Sequence, residues 1–104
     1  MTFRVEFTPE ALEDLDRLFD FLLDQAETAE DAQRAFDAVE AIRVAANTHL
    51  STTPYSYRKV GSRPTLRELI VPFGKTGYVL RFDIRTPELV LVLGARHQRE
   101  EDYH

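Results

Sequence analysis

The hydrophobic pattern of this chain changes near residue 50. Before it, apolar residues recur every three or four positions over 9–25 and 28–50, which predicts two amphipathic helices. Asp14, Asp20 and Asp24 mark the solvent side of the first helix. After residue 50, short apolar runs alternate with Gly- and Pro-containing turns, which is typical of strands. Neither half can bury its apolar face alone, so the helices and strands must cover each other. The apolar helix positions are Leu12, Leu15, Leu18, Phe19, Leu22 and Leu23, followed by Ala32, Ala35, Phe36, Val39, Ile42, Ala46 and Leu50.

Both predicted helices have start signals. Thr8 can act as an N-cap, and Pro9 occupies the first helical position, where its missing N–H costs nothing. Thr28, with Asp31 three residues later, gives a weaker form of the capping box. Because only a few residues separate the helices, we expect an antiparallel helical hairpin.

Four strands are predicted around this hairpin. Arg4–Thr8 alternates ahead of the first helix, and further strands are predicted at 66–73, 78–84 and 89–95. The expected fold is α+β in the order β-α-α-β-β-β. An N-terminal strand, the hairpin and a three-stranded antiparallel meander form one sheet with the helices on one face. A chain of 104 residues fits a single domain over residues 1–104, because smaller pieces would bury too little surface.

Charge is divided unevenly along the chain. Residues 1–50 carry 12 acidic and 4 basic side chains, a net of −8, whereas residues 51–104 carry 6 acidic and 9 basic, a net of +3. The total of −5 argues against indiscriminate nucleic-acid binding, which needs a local excess of Lys and Arg. A basic face in the second half remains compatible with these numbers.

Composition also bounds the compartment and the chemistry. The absence of cysteine excludes disulfides, thiolate metal sites and a cysteine nucleophile. The first residues lack the apolar run of a signal peptide, and no segment approaches the ~18–20 apolar residues of a membrane-spanning helix. We therefore expect a cytoplasmic protein that is not integral to a membrane.

Three arginines on the predicted strands are candidate anion ligands. Alternation places Arg81 away from the aromatic side of its strand, and Arg67 and Arg96 lie on the neighbouring strands. If all three approach one another on the face not covered by the helices, a phosphate can bind there. The alternative is that Arg67 and Arg81 form ordinary cross-strand ion pairs with Glu68, Asp83 or Glu88.

The end of the chain concentrates titratable groups. Cleavage of RNA through its own 2′-hydroxyl needs a base, an acid and cations around the phosphate, and no metal. Arg96, His97, Arg99 and Tyr103 have this chemistry. The alternative is that His97 and Tyr103 fold back onto the sheet as packing and hydrogen-bonding side chains.

Metal and cofactor chemistry have little support. His97, Glu100 and His104 could face one way on a helical turn, but a zinc site needs a supported set of ligands. The chain has neither a Gly-x-Ser-x-Gly motif nor a Gly-rich phosphate loop. We expect no metal and no cofactor.

Several segments occur together in one order and spacing over nearly the whole chain. They are Val5-Glu6-Phe7-Thr8-Pro9-Glu10-Ala11 with Asp14-Leu15, Leu66-Arg67-Glu68-Leu69, Gly77-Tyr78-Val79-Leu80-Arg81-Phe82, and Arg96-His97-Gln98-Arg99-Glu100 with Tyr103. In this arrangement the chain resembles toxins of the RelE/ParE superfamily from bacterial type II toxin–antitoxin systems. Its C-terminal end resembles the ParE branch, whose members inhibit DNA gyrase, more than the ribosome-dependent RNases of the RelE branch.

The resemblance implies a toxin that inhibits DNA gyrase without being a catalyst. Arg96, His97, Gln98, Arg99 and Tyr103 are then the target-binding residues.

The alternative is a RelE-type mRNA endonuclease acting with the ribosome. Its catalytic candidates are His97, Tyr103, Arg67, Arg81 and Arg96.

The resemblance also implies a protein partner, a cognate antitoxin whose C-terminal segment folds on the toxin. An acidic helical half would orient such a segment. We expect its basic residues to lie against Glu13, Asp16 and Asp20 of the first helix.

Overall fold

The structure is a computed structural model that describes residues 2–99, in which two α-helices and five strands are present. Sequence predictions that involve Glu100, Tyr103 and His104 lie outside the described residues. The elements are β1 Arg4–Phe7, α1 Pro9–Asp24, α2 Ala29–Leu50, a 3-10 turn Pro54–Ser56, β2 Arg58–Val60, β3 Arg63–Phe73, β4 Thr76–Thr86 and β5 Leu89–His97.

All five strands belong to one mixed sheet, in the order β1-β5-β4-β3-β2. β1 runs parallel to β5, and the other neighbours are antiparallel. The predicted α+β class and the order of helices and strands are confirmed. The short strand β2 is additional, and it lies between the second predicted helix and the strand predicted at 66–73. Its sequence, Arg58-Lys59-Val60, is too short and too polar for alternation to reveal a strand, as is common at sheet edges.

The helix starts agree with the sequence prediction. Thr8 Oγ1 accepts a hydrogen bond from Ala11 N at 3.1 Å, and Thr28 Oγ1 accepts one from Asp31 N at 3.1 Å. Each satisfies one of the N–H groups that a helix leaves free at its first turn. The link between the helices is correspondingly short, which keeps α1 and α2 in contact.

The core lies between the helices and one face of the sheet. Phe82, Leu80, Ile42 and Leu50 are fully buried there. None of the helices in residues 2–99 is long and apolar enough to cross a membrane.

Part of the apolar surface of the hairpin stays outside this core. Phe21, Phe36 and Val44 are more than half exposed. Phe36 contacts Phe19 of α1, with ring centroids 4.8 Å apart. The two helices thus present a partly apolar outer surface.

The β3–β4 hairpin closes through Gly74 and Lys75, a shorter link than the gap between the strands predicted at 66–73 and 78–84. Gly74 has φ +60°, a region that other residues rarely adopt. At Gly77 a Cβ would lie 2.6 Å from the Val71 carbonyl oxygen. Gly74 thus allows the tight turn, and Gly77 allows the close approach of β4 to β3.

Candidate functional site

Strand register brings one carboxylate and three guanidinium groups together on the sheet face away from the helices. Glu68 on β3 is paired with Arg58 on β2 and with Arg81 on β4. Gly94 of β5 is paired with Arg81, so Arg96, two residues further on, lies diagonally across β4 on the same face. We call Glu68, Arg58, Arg81 and Arg96 the Glu68 cluster.

Both carboxylate oxygens of Glu68 accept hydrogen bonds from arginine. Oε1 accepts from Arg58 Nη2 at 2.7 Å, and Oε2 accepts from Arg96 Nη2 at 3.1 Å and from Arg81 Nη2 at 3.3 Å. The Glu68 side chain is 5% exposed, whereas those of Arg58 and Arg81 are 59% and 45% exposed. The carboxylate is therefore held at the floor of the cluster, with the arginines toward solvent.

The electrostatics of the cluster favour the ionised form of Glu68. Burial is the largest single influence and raises the pKa of Glu68. The hydrogen bonds from Arg58, Arg96 and Arg81 oppose it and together leave this pKa below its usual value of 4.5. Glu68 is thus a carboxylate at neutral pH.

A cleft of about 720 Å³ opens over the cluster. It extends from β2 across the sheet to the side of α1. Its four basic and two acidic lining side chains leave it with a positive balance of two charges. They are Arg17, Lys59, Arg81 and Arg96 against Asp14 and Glu68.

Asp14 closes one wall of this cleft by joining α1 to β5. Its Oδ2 accepts a hydrogen bond from Ala95 N at 2.9 Å, and its Oδ1 forms an ion pair with Arg17 at 3.2 Å. A Cβ at position 94 would lie only 3.0 Å from Asp14 Oδ2. The absence of a side chain at Gly94 therefore lets the Asp14 carboxylate come close to β5. The prediction that Asp14 lies on the solvent side of α1 is therefore wrong, because it satisfies a strand-edge N–H beyond the end of β1.

Arg67 does not join the cluster. It is paired with Phe82, a core residue, and so lies on the helix-covered face. Its guanidinium donates to three backbone carbonyl groups, those of Pro64 at 3.0 Å, Tyr55 at 2.9 Å and Tyr57 at 2.8 Å. The prediction that Arg67, Arg81 and Arg96 converge on one face is wrong for Arg67. Of the predicted cross-strand pairs, the one between Arg81 and Glu68 is present.

His97 lies half-buried at the end of β5. Its Nδ1 accepts a hydrogen bond from Arg99 N at 3.1 Å, which leaves the ring hydrogen on Nε2 to be donated to Thr76 Oγ1 at 3.2 Å. The ring also contacts Tyr78 edge-on, with centroids 5.6 Å apart. Burial raises the pKa of Tyr78, although the charge of Arg34 opposes this.

The remaining predicted site residues fall into two groups. Gln98 and Arg99 are exposed, just beyond the end of β5. Glu13, Asp16 and Asp20 are exposed on α1, where spacings of three and four place them on one side of the helix.

The comparisons with known proteins agree with this architecture. A family model described as the ParE toxin of type II toxin-antitoxin system, parDE, matches residues 5–102. The chain belongs to this family. A search of curated proteins gave no match. A solved structure described as the chromosomal ParDE TA system from P. aeruginosa is similar over 92% of this chain and 96% of that chain, with TM-score 0.71 and 16% identity. At this identity the likeness shows the fold alone.

Membership of the ParE family confirms the resemblance found in the sequence and makes the chain a toxin of a type II toxin–antitoxin system. Within residues 2–99, no three His, Cys, Asp or Glu side chains are grouped so that they could hold a metal ion.

Sequence reasoning missed two features of this ParE chain. Glu68 appeared only as one of several carboxylates that could pair with an arginine, although it is bound by three. Arg58 lies between the second predicted helix and the strand predicted at 66–73, where the sequence has no strand pattern. The only sequence signal was the excess of 9 basic over 3 acidic side chains in residues 51–99.

Proposed function

We propose that this ParE-family toxin inhibits DNA gyrase by binding it, without itself catalysing a reaction. The observation that most supports a non-catalytic role is the separation of the residues that an RNA-cleaving site would use. Arg67 lies on the helix-covered face, whereas Arg81 and Arg96 bind Glu68 on the other. Cleavage needs cations and proton-transfer groups around one phosphate, whereas here one of the predicted cations faces the other side of the sheet and the other two are bound by a carboxylate.

The hydrogen bonding of His97 supports the same proposal. A general base needs a ring nitrogen with a free lone pair aimed at the substrate. In His97, Nδ1 is used by Arg99 N and Nε2 by Thr76 Oγ1. His97 thus positions the end of β5, as expected of a residue in a binding surface.

The proposed gyrase-binding surface is the end of β5, formed by Arg96, His97, Gln98 and Arg99. Tyr103, which lies outside the described residues, is proposed as a further contact residue. Gln98 and Arg99 are exposed, and they follow a strand with buried residues along its length. A rigid strand end costs less entropy on binding than a loop of the same length. We place the action of the protein in the cytoplasm.

The proposed partner is a cognate antitoxin that covers the outer surface of the helical hairpin. Phe36, which packs on Phe19 of α1, offers exposed apolar area, and Glu13, Asp16 and Asp20 are exposed on α1. An amphipathic segment that carries basic residues would bury this apolar area and pair its basic side chains with these carboxylates.

The target is tested by pulse-labelling cells with thymidine and methionine just after the toxin is induced without antitoxin. We expect thymidine incorporation to fall first, while methionine incorporation continues. An early fall in methionine incorporation would contradict the gyrase proposal and favour a RelE-type mRNA endonuclease.

The surface is tested with purified gyrase and a Gln98→Ala, Arg99→Ala double variant. We expect it to lose supercoiling inhibition while it still binds the antitoxin. Arg43→Ala, which removes an exposed arginine from α2, is the matched control and should inhibit normally. Full inhibition by the double variant would remove the end of β5 from the target surface.

A further inference from the structure

We propose that Glu68 is an internal anion that occupies the arginine cluster and keeps phosphate out of the cleft. This specificity of the cleft is independent of whether gyrase is the target. It follows from the position of Glu68 among the arginines of the Glu68 cluster.

The geometry of the donors is that of an oxyanion site. β2, β4 and β5 each supply one guanidinium, and all three donate to the same carboxylate at 2.7–3.3 Å. Arginine side chains that converge in this way bind phosphate as readily as carboxylate, because both anions present several oxygens to the planar fork. Strand register fixes the three arginines, so the site exists before any ligand arrives.

The cleft above the Glu68 cluster is wide enough for phosphate to reach the arginines. The cleft of about 720 Å³ above it also receives Lys59 and Arg17. The arginine side chains of the cluster stay 21–59% exposed, whereas Glu68 is 5% exposed. An anion entering from solvent therefore meets the arginines directly and finds their inner donors engaged by Glu68.

Because the Glu68 carboxylate is part of the chain, it competes efficiently with phosphate for the arginines. A ligand that binds only when the site is vacant has its affinity reduced by the vacant fraction, so vacancy in about 1% of molecules weakens binding about 100-fold. Because the pKa of Glu68 is lowered, protonation does not release the site at neutral pH. The cleft is consequently positively charged, but it does not bind phosphate tightly.

The test compares inorganic phosphate binding by the wild-type protein and by Glu68→Gln, followed through the arginine side-chain NMR signals. Glutamine keeps the size of the side chain and removes the charge. We expect Glu68→Gln to bind phosphate at least about tenfold more tightly than the wild type, and the gain to disappear in Glu68→Gln, Arg81→Ala. If Glu68 only joins the strands, the variant loses stability without gaining phosphate binding, and the proposal is overturned.

Asp83→Asn is the matched control. Asp83 is a buried carboxylate on the same face, paired with Arg85 at 3.0 Å and Arg63 at 4.0 Å, and it does not line the cleft. The Asp83→Asn protein should bind phosphate no more tightly than the wild type. An equal gain in Asp83→Asn would mean that any lost negative charge has this effect, which contradicts the proposal.

Two further outcomes are decisive. If Glu68→Gln does not fold in chloride buffer, rising phosphate should restore its folding, because a ligand that binds only the native state stabilises it. No recovery in phosphate would overturn the proposal. Phosphate binding by the wild type as tight as that by Glu68→Gln would also overturn it.

Discussion

Arg67 and Arg81 lie on neighbouring strands and have different physical roles because they face opposite sides of the sheet. Arg81 reaches Glu68 in the open cleft. Arg67 binds carbonyl groups of Pro64, Tyr55 and Tyr57 and lies over the Tyr55 ring, with Cζ 5.2 Å from its centroid. Arg67 thereby attaches the connection before β2 to strand β3. Its role is to satisfy backbone acceptors rather than to bind a ligand.

Replacing Arg67 by lysine should therefore destabilise the fold. An ammonium group cannot reach all three carbonyl groups, and each acceptor left without a partner costs about 1–3 kcal/mol. We expect Arg67→Lys to lose about 2–4 kcal/mol of unfolding free energy in urea denaturation. Arg43→Lys, on the exposed surface of α2, should stay within about 0.5 kcal/mol of the wild type. A stable Arg67→Lys protein would contradict the backbone role.

Glu68 should make stability depend on pH. Its pKa in the folded state lies below the value of 4.5 expected when unfolded, so folding favours the ionised form. The contribution is fully present above about pH 4.5 and is lost as pH falls through the folded-state pKa. We expect wild type to be more stable than Glu68→Gln at neutral pH and the difference to shrink on acidification.

Thermal denaturation of the wild type and of Glu68→Gln, from neutral pH to below about pH 4.5, checks the prediction. Glu6→Gln is the control, because Glu6 is a half-exposed carboxylate that also pairs with an arginine, Arg4 at 2.6 Å. Its stability should follow that of the wild type at each pH. A Glu68→Gln difference that stays constant with pH would count against ionisation of Glu68 as the cause.

Helix α1 both covers the core and provides a hydrogen-bond acceptor at a strand edge. β1 pairs with β5 only as far as Val92, which leaves the next residues of β5 without a strand partner on that side. Asp14 supplies the acceptor for Ala95 N. One side chain of α1 thus does at this edge what a longer β1 would do.

Replacing Asp14 by alanine should weaken the contact between α1 and β5. The N–H of Ala95 would lose its acceptor, at a cost of about 1–3 kcal/mol if no water replaces it. We expect lower unfolding free energy and faster hydrogen exchange at the Ala95 amide. Asp16→Ala, which removes an exposed carboxylate from the same helix, should leave that amide as protected as in the wild type.

The elements themselves were largely predictable, and their side-chain partners were not. Helical spacing and the Thr8 and Thr28 caps located α1 and α2 because these signals are local. The face on which Arg67 lies depends on which side of β3 is covered, and β3 has apolar residues on both sides. Similarly, the three partners of Glu68 follow from strand register, which the spacing of residues along the chain does not determine.

In the folded protein, the uneven charge of the sequence becomes a separation of charge in space. The acidic half forms the helical hairpin, and the basic half forms most of the sheet and the cleft. The proposed antitoxin surface and the Glu68 cluster therefore lie on opposite faces. A change on one of them should leave binding at the other intact.

Charge reversal of Glu13, Asp16 and Asp20 to lysine tests this separation. We expect the cognate antitoxin to bind roughly tenfold or more weakly, since several rim charges change sign together, and gyrase inhibition to persist. The matched control reverses Glu6, Glu27 and Glu88, which are also exposed and lie outside both helices. Equal weakening in both variants, measured by isothermal titration, would mean that net charge rather than the α1 surface controls binding.

The opposed placement of hairpin and cleft also gives the molecule a permanent electric dipole. A dipolar molecule turns in the field of an approaching partner, so encounters begin in a preferred orientation before any contact forms. A basic partner arrives at the helices, and an acidic one arrives at the sheet. Dissolved ions shorten the reach of this field, so both associations should slow as ionic strength rises, although the two partners carry opposite charge.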